Sequence, residues 1–202
     1  MLSGIGPADN LLPLGINIIQ ELPVGVRLYD HMSHFGPTFL TNTTNQSLFT
    51  TRVGISDVLG FLAGRADTPL STLTGVEALT FLKVPGSKLP ADWPDVEIIF
   101  VSGSLASDDG TALKKYGNIK DEIYDRVYRP LQRTQQDHFT VLVMPFHPKS
   151  FGRLWLSNKN PLQWPKIDPN YFDNPEDVEF MLQGIKAAIR IAETPAMRKI
   201  GT

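Results

Sequence analysis

Cysteine is missing from all 202 residues, which excludes disulfides, thiolate catalysis and cysteine-based zinc or iron–sulfur sites. No stretch approaches the roughly 18 consecutive apolar residues of a membrane-spanning helix. The opening Met1-Leu2-Ser3-Gly4-Ile5-Gly6 has no basic region ahead of an apolar run, so no secretory leader is visible. An excess of one charge is lacking too. The 19 Lys and Arg are scattered among 21 Asp and Glu, for a net charge of −2. No basic stripe therefore points to nucleic acid or an anionic membrane. A Gly-x-Ser-x-Gly nucleophile elbow is absent, because Ser102-Gly103-Ser104 has the wrong spacing. Gly4-x-Gly6 has Asp9 where a dinucleotide-binding turn needs its third glycine, and no strand precedes it. These two glycines read as a turn.

What is present is an ordinary globular mixture, 42% hydrophobic and 20% charged, long enough to bury a core as one domain or one and a part. A short helical turn is expected around 8–12, stopped at Gly15, followed by a short strand through Ile16, Ile18 and Ile19. Leu22-Pro23-Val24-Gly25 is a turn leading to Asp30-His31. The segment 32–53 mixes Thr, Asn and Ser with Phe35, Phe39, Leu40 and Phe49, which favours strands and loops. Ser56 is placed to cap a helix carrying Val58, Leu59, Phe61 and Leu62 that ends near Gly64. The residues 72–82 read as strand, 85–94 as a loop, and 95–103 as a well-covered strand with Val96, Ile98, Ile99, Phe100 and Val101. Ser107-Asp108-Asp109-Gly110 is a turn. Ile119, Ile123 and Val127 predict a helix over 119–128, stopped by Pro130. The segments 139–146 and 153–156 read as strands, and the turn 148–152 between them suggests an antiparallel pair. Last comes the clearest element. Asn174 caps, Pro175 takes the first helical position, and Glu176 and Asp177 suit a positive helix start. Val178, Met181, Leu182, Ile185, Ala188, Ile189 and Ala192 form one apolar face. The pattern predicts an α+β fold with a largely antiparallel sheet.

The four histidines are His31, His34, His138 and His147. Asp30-His31-x-x-His34 is too weak a pattern for a metal site, and no metal is expected. His138 beside Asp137 reads as a surface loop pair, and His147 as structural. Trp93, Trp155 and Trp164 read as core or interface residues, and Tyr124 with Tyr128 as a helix-face pair. Asn42-Thr43-Thr44 and Asn45-Gln46-Ser47 both fit the N-glycosylation acceptor pattern, which also arises often by chance.

Four segments, in order, resemble the glucose-methanol-choline (GMC) oxidoreductases, especially their insect glucose-dehydrogenase-like branch. They are Leu2-Ser3-Gly4-Ile5-Gly6-Pro7 with Leu14-Gly15-Ile16; Leu22-Pro23-Val24-Gly25 through Leu28 to Asp30-His31; and Pro148-Lys149-Ser150 through Gly152-Arg153-Leu154 to Leu156, running on to Pro165–Phe172. The fourth is Pro175-Glu176-Asp177, with Glu193-Thr194-Pro195-Ala196-Met197 behind it. Each is weak alone, and the order and spacing across nearly the whole chain carry the resemblance. The segment 95–109 also looks like the insect branch. The family's pattern usually has Asn where this chain has Arg27, with Tyr29 at the next variable position.

The resemblance implies a fragment of a two-domain flavoprotein. Residues 1–31 would belong to the FAD-binding domain, 32–160 would form the substrate-binding domain, and 161–202 would return towards the FAD-binding domain. Both ends read as cuts through structure. The implied chemistry is FAD-dependent oxidation of a CH–OH group on a small alcohol or sugar, with electrons passing to a quinone-type acceptor or oxygen. Gly25, Leu28, Asp30 and His31 are the implied cofactor-binding residues. The family's catalytic His is expected beyond Thr202, leaving no catalytic residue in this chain, which is then expected to be inactive by itself. Secretion is implied by the same resemblance. The alternative is a truncated, non-catalytic relative acting as a binding or interaction protein. A chain cut from a larger fold is expected to expose apolar surface, including the face of the helix 175–193.

Overall fold

A computed structural model describes residues 1–201 apart from 44–46, 48, 72–74, 109 and 135. The described residues form two compact units. One contains Met1–Met32 and Pro145–Met181, the other Ser33–Met144 and Leu182–Thr202.

The second unit is built on a four-stranded sheet in the order β1 (Thr38–Leu40), β4 (His138–Pro145), β3 (Val96–Val101), β2 (Val76–Leu82). The pairs β1–β4 and β2–β3 are antiparallel. β4 is the central, most covered strand, and Phe139, Val141 and Val143 on it are buried. Phe139 stacks on Phe39 at 5.1 Å and on Phe100 at 4.8 Å. One aromatic ladder thus runs across three strands and adds specific ring contacts to the apolar burial. The helix α5 (Pro175–Ala192) lies against this sheet through Gly184. A Cβ at that glycine would stand 2.4 Å from Val143 Cγ1, so the missing side chain sets how near the helix approaches. Ala188 and Ala192 are fully buried.

The remaining helices are α1 (Ala8–Leu11), α2 (Ile55–Leu62), α3 (Ala112–Tyr116), α4 (Asp121–Thr134) and α6 (Pro195–Arg198). Gly15 ends the first helical segment in the left-handed region at φ 70°, as expected of a glycine stop. Tyr124 and Tyr128 lie 5.8 Å apart on α4, as the i, i+4 spacing predicts. The 85–94 loop is closed by Lys83, whose Nζ donates to the carbonyls of Leu89, Pro90 and Trp93 at 3.0, 2.7 and 2.9 Å. Asp108 makes the expected turn, accepting from the N–H of Gly110 and of Leu113 at 2.8 Å each. Asp109 lies outside the described residues.

Several expectations are corrected. Pro130 does not stop α4, which continues to Thr134. Tyr124 anchors the helix in the core, and Gln132 beyond the proline donates to the Asp108 carbonyl, so tertiary contacts hold the last turn. Ser56 lies inside α2. Gly54 is the cap, and the Asp57 carboxylate accepts its N–H at 2.8 Å. Residues 16–19 form no strand, only a single parallel bridge between Ile5 and Gln20 nearby. The segments 139–146 and 153–156 do not pair with each other. β5 (Arg153–Trp155) pairs with β6 (Lys166–Asp168) in a separate two-stranded sheet. The backbone groups of the 148–152 turn are used by residues far away in sequence, as set out below. Of the tryptophans read as core or interface residues, Trp93 and Trp164 are exposed, which removes the core alternative for these two.

The expected surface pair Asp137–His138 is instead buried, both residues being 1% exposed. The Asp137 carboxylate accepts from Arg52 Nη1 at 2.5 Å and from Thr43 Oγ1 at 3.3 Å. Ser47 Oγ sits 2.5 Å from both His138 N and His138 O, accepting from the first and donating to the second. His138 Nδ1 lies 2.9 Å from the Gln136 carbonyl, which can only accept. The proton is therefore on Nδ1, and Nε2 accepts from Ser104 Oγ at 2.8 Å. Burial pushes the His138 pKa below the ordinary imidazole value, against smaller upward pulls from the Gln136 carbonyl and from Asp137; the Arg52 charge pulls it down. Because the folded pKa is lowered, the unfolded chain binds more protons as pH falls below about 6.5. Stability of this unit is expected to be complete above that pH and to decline below it. Urea unfolding at a series of pH values checks this, and the His138→Gln variant should show a flatter slope from a lower starting stability.

Apolar exposure is concentrated on α2, where Ile55 is 80%, Leu59 61% and Leu62 75% exposed, and on β2, where Leu79 and Phe81 are exposed. On α5 the predicted apolar face divides. Met181, Ala188 and Ala192 are buried, while Val178, Leu182 and Ile189 are exposed.

Candidate functional site

The first unit positions the residues singled out by the sequence. In the turn 22–25, Val24 N–H donates to Leu22 O at 2.8 Å. Gly25 then adopts φ 79°, and its carbonyl accepts from Leu154 N at 2.8 Å. A Cβ there would lie 2.2 Å from the Leu154 carbonyl, so only glycine fits the approach. Three residues on, Leu28 and Gly152 exchange N–H···O bonds of 2.9 and 2.8 Å. Gly152 has no room either, since a Cβ would stand 1.9 Å from Asp168 O. Two of the recognised segments are thereby laid edge to edge.

A third joins them. The carboxylate of Asp177, at the start of α5, is buried and accepts from the N–H groups of Lys149 and Ser150 at 2.8 Å each. Ser150 Oγ in turn accepts from Asn174 N–H at 2.9 Å. Asn174 caps the helix by accepting from Glu176 N–H at 2.9 Å. The 148–152 turn is thus bound to α5 on one side and to Leu28 on the other.

This frame holds a cleft of about 420 Å³ lined by Tyr29, Asp30, His31, Phe146, His147 and Pro148. The Asp30 carboxylate accepts from its neighbour's backbone, His31 N–H, at 2.9 Å and from Tyr171 Oη at 2.5 Å. That second bond holds the Tyr171 phenol protonated, its pKa pushed up to about 12, with some burial and the Asp30 charge adding to the shift. The bond is therefore intact at any pH below about 10 and lost only as pH rises through about 12. The His31 ring packs against Phe146 at 5.5 Å. Phe151 is flanked by Tyr29 at 5.9 Å and by the Arg27 guanidinium at 5.0 Å, a cation–π contact.

Of the residues singled out by the sequence, Asp30 and His31 line the cleft, while Gly25 and Leu28 fasten the segment that carries them. His34 belongs to the second unit, where its backbone pairs with that of Val143. Among the described residues no group of three or more His, Asp or Glu could hold a metal ion. Sequence reasoning missed Phe146, His147 and Pro148 as cleft walls and Tyr171 as the partner of Asp30. Their signal was adjacency, since the first three precede or open the Pro148–Leu156 segment and Tyr171 lies within the 165–172 segment. The Ser104–His138 hydrogen bond, between residues 34 apart, carried no sequence signal. It pairs a hydroxyl with a base, but both are buried and Ser104 Oγ also accepts from Ala106 N–H. It is a structural latch.

A second cleft, also about 420 Å³, lies among residues 2–4, 15–17 and Lys159. Gly4 beside it is held by its own chain: its carbonyl accepts from Ile19 and Gln20 N–H, and a Cβ would meet Asn17 O at 2.4 Å.

Comparison with known proteins gives these features a context. Residues 148–201 match the family model described as GMC oxidoreductase. Over its whole length the chain is 27% identical to glucose dehydrogenase [FAD, quinone] of Drosophila melanogaster, spanning 29% of that protein. It is 28% identical, over 98% of its length, to alcohol dehydrogenase [acceptor] of Pseudomonas putida, spanning 32% of it. The chain thus spans about a third of the length of these curated relatives. The fold is that of formate oxidase from Aspergillus oryzae RIB40, with a TM-score of 0.70 at 22% identity, over 98% of this chain and 35% of that one. One family model on the segment that frames the cleft, and relatives aligned from end to end, make the chain similar to the GMC oxidoreductases along its length.

Proposed function

We propose that this chain is part of an FAD-dependent oxidoreductase that oxidises the CH–OH group of a small alcohol or sugar and passes the electrons to a quinone-type acceptor or to oxygen. The observation that carries this reading is the cleft at Asp30 and His31, framed by the segment that matches the family model. The names of the relatives, a glucose dehydrogenase and an alcohol dehydrogenase, support the substrate class.

When bound, FAD supplies the acceptor for the hydride. The cleft residues fit the ring end of such a group. His31, Phe146 and Tyr29 offer flat faces, and the volume lies in the range of about 300–1,000 Å³ usual for small-molecule sites. They do not fit its pyrophosphate, because no Lys or Arg lines this cleft and the Gly4 turn is packed against Asn17. On this reading Gly25 and Leu28 hold the segment on Gly152. Asp30, tied to Tyr171, fixes the backbone of His31, and His31 presents its ring at the cofactor edge. Arg27, where the family's pattern has Asn, is engaged with Phe151. The unit of Met1–Met32 with Pro145–Met181 is the part facing the cofactor, and the sheet unit is the substrate-domain part. The pairing of Leu28 with Gly152 favours a second boundary near 145 over one near 160. The catalytic base then lies outside this chain, the chain alone is inactive, and the whole protein is exported.

The test is made on the complete polypeptide that contains these residues. Purified protein is expected to carry flavin absorbance and to reduce a dye when an alcohol or sugar is added, with His31→Ala retaining less flavin. Absence of both flavin and alcohol-dependent reduction would overturn the reading.

A further inference from the structure

We propose, building on the reading of the cleft as a flavin site, that Tyr171 is a positioning residue: a strained turn holds it as a clamp that acts through Asp30 on His31. The turn joins β6, which ends at Asp168, to the cap of α5 at Asn174. Tyr171 stands between two non-glycine residues in the left-handed region, Asn170 at φ 51° and Phe172 at φ 62°. Asparagine tolerates that conformation, but for a bulky phenylalanine it is an outlier with an energetic cost. Glycine would make the same connection without strain, so the connection alone does not account for Phe172. Both sides of the strained stretch are pinned. Asn170 N–H donates to Asp168 Oδ1 at 3.1 Å, and Asn170 Nδ2 to Phe151 O at 3.4 Å. Asn174 N–H donates to Ser150 Oγ at 2.9 Å.

Held there, the Tyr171 phenol donates to Asp30, 141 positions away. The two oxygens of that carboxylate have separate tasks. Oδ2 accepts from Tyr171, and Oδ1 accepts from the His31 N–H. Holding one oxygen fixes the carboxylate rotamer and keeps the other on the His31 backbone. Tyr171 is 43% exposed, and Asp30 and His31 are exposed too. A hydrogen bond in contact with water returns no more stability than a strained left-handed residue costs. Folding therefore does not account for the arrangement, and backbone strain kept without a gain in stability is characteristic of sites that hold a ligand. What the strain secures is the direction of the His31 ring, which lines the cleft and rests on Phe146 at 5.5 Å.

The complete polypeptide that contains these residues is stripped of flavin and titrated with FAD, and amide hydrogen exchange at His31 is followed in the flavin-free protein. Tyr171→Phe is expected to weaken FAD binding about fivefold, the worth of one modest hydrogen bond. It should speed His31 exchange by a similar factor and leave the urea midpoint nearly unchanged. Asp30→Asn should also weaken binding, and adding Tyr171→Phe to it should weaken binding little further, because one residue acts through the other. Phe172→Gly should keep the urea midpoint, as relief of strain offsets the added freedom of the unfolded chain, while His31 exchange rises. Unchanged FAD affinity and His31 exchange in Tyr171→Phe, or losses that multiply in the double variant, overturn the proposal. So does a lowered midpoint as the sole effect of either single change in the turn. A wild type that binds no FAD overturns the flavin reading, and the clamp then stands or falls with His31 exchange alone.

Discussion

Replacing Asp177 with alanine is expected to destabilise the first unit by about 3 kcal/mol, since it strips the buried carboxylate from two backbone donors, one of them on the buried Ser150, each worth roughly 1–3 kcal/mol when left unmade. Those donors are the N–H groups of Lys149 and Ser150, both 2.8 Å from the carboxylate. The carboxylate also sits in the first turn of α5, where negative charge is favoured by the helix dipole. Asp177→Asn keeps one oxygen acceptor and should cost about half as much. Urea unfolding followed by tryptophan fluorescence reads the effect, because Trp155 and Trp164 lie in this unit. Faster proteolysis within 146–152 should accompany it, as the turn loses its hold on the helix. A loss below about 1 kcal/mol would mean that water replaces the carboxylate at those two N–H groups. The consequence for function is direct: this turn carries Gly152, which pairs with Leu28, so the walls of the cleft should loosen with it.

The second large effect is expected at Asp137. Asp137→Ala leaves the Arg52 guanidinium, itself mostly covered, without its 2.5 Å carboxylate partner. Breaking such a pair from one side costs about 3–5 kcal/mol. Thr41 N–H donates to the Asp137 carbonyl and Thr43 to its carboxylate, so the start of β4 and the chain after β1 are tied together here. If the pair is the main term, the double variant Arg52→Met with Asp137→Ala should be less destabilised than the sum of the single variants, by more than about 1 kcal/mol. Additive losses would instead show that Arg52 acts through its stacking on Phe49, where it lies 4.3 Å from the ring centroid. Equilibrium unfolding of the three variants decides between the two.

Much of the local architecture was legible because it depends on neighbours in sequence. The cap at Asn174, the proline after it and the acids behind it specify the start of α5 within one turn. Gly15 and the β-branched run 96–101 likewise announce a helix stop and a strand. The candidate site was half legible. Asp30 and His31 were found because they lie in a recognisable segment, and Tyr171 lay in another, but no spacing rule links positions 141 apart. The same limit explains the errors. Asp137-His138 is two polar residues in a row, and only the arrival of Arg52, Ser47 and Ser104 makes their burial tolerable. Pro130 is a helix breaker by itself, and the contacts of Tyr124 and Gln132 outweigh it.

The sequence by itself therefore determined the start of α5, the stop at Gly15, the strand 96–101, the resemblance to a family and the segment that carries the candidate site, because capping, periodicity and glycine conformation act over a few residues. Tertiary structure decided which edges meet. It set β5 on β6 rather than on β4, bound the 148–152 turn to Asp177 and Leu28, and buried His138 with its proton on Nδ1. The physical reason is that a backbone N–H or a buried carboxylate is satisfied by whichever partner the fold brings within about 3 Å, whatever its distance along the chain.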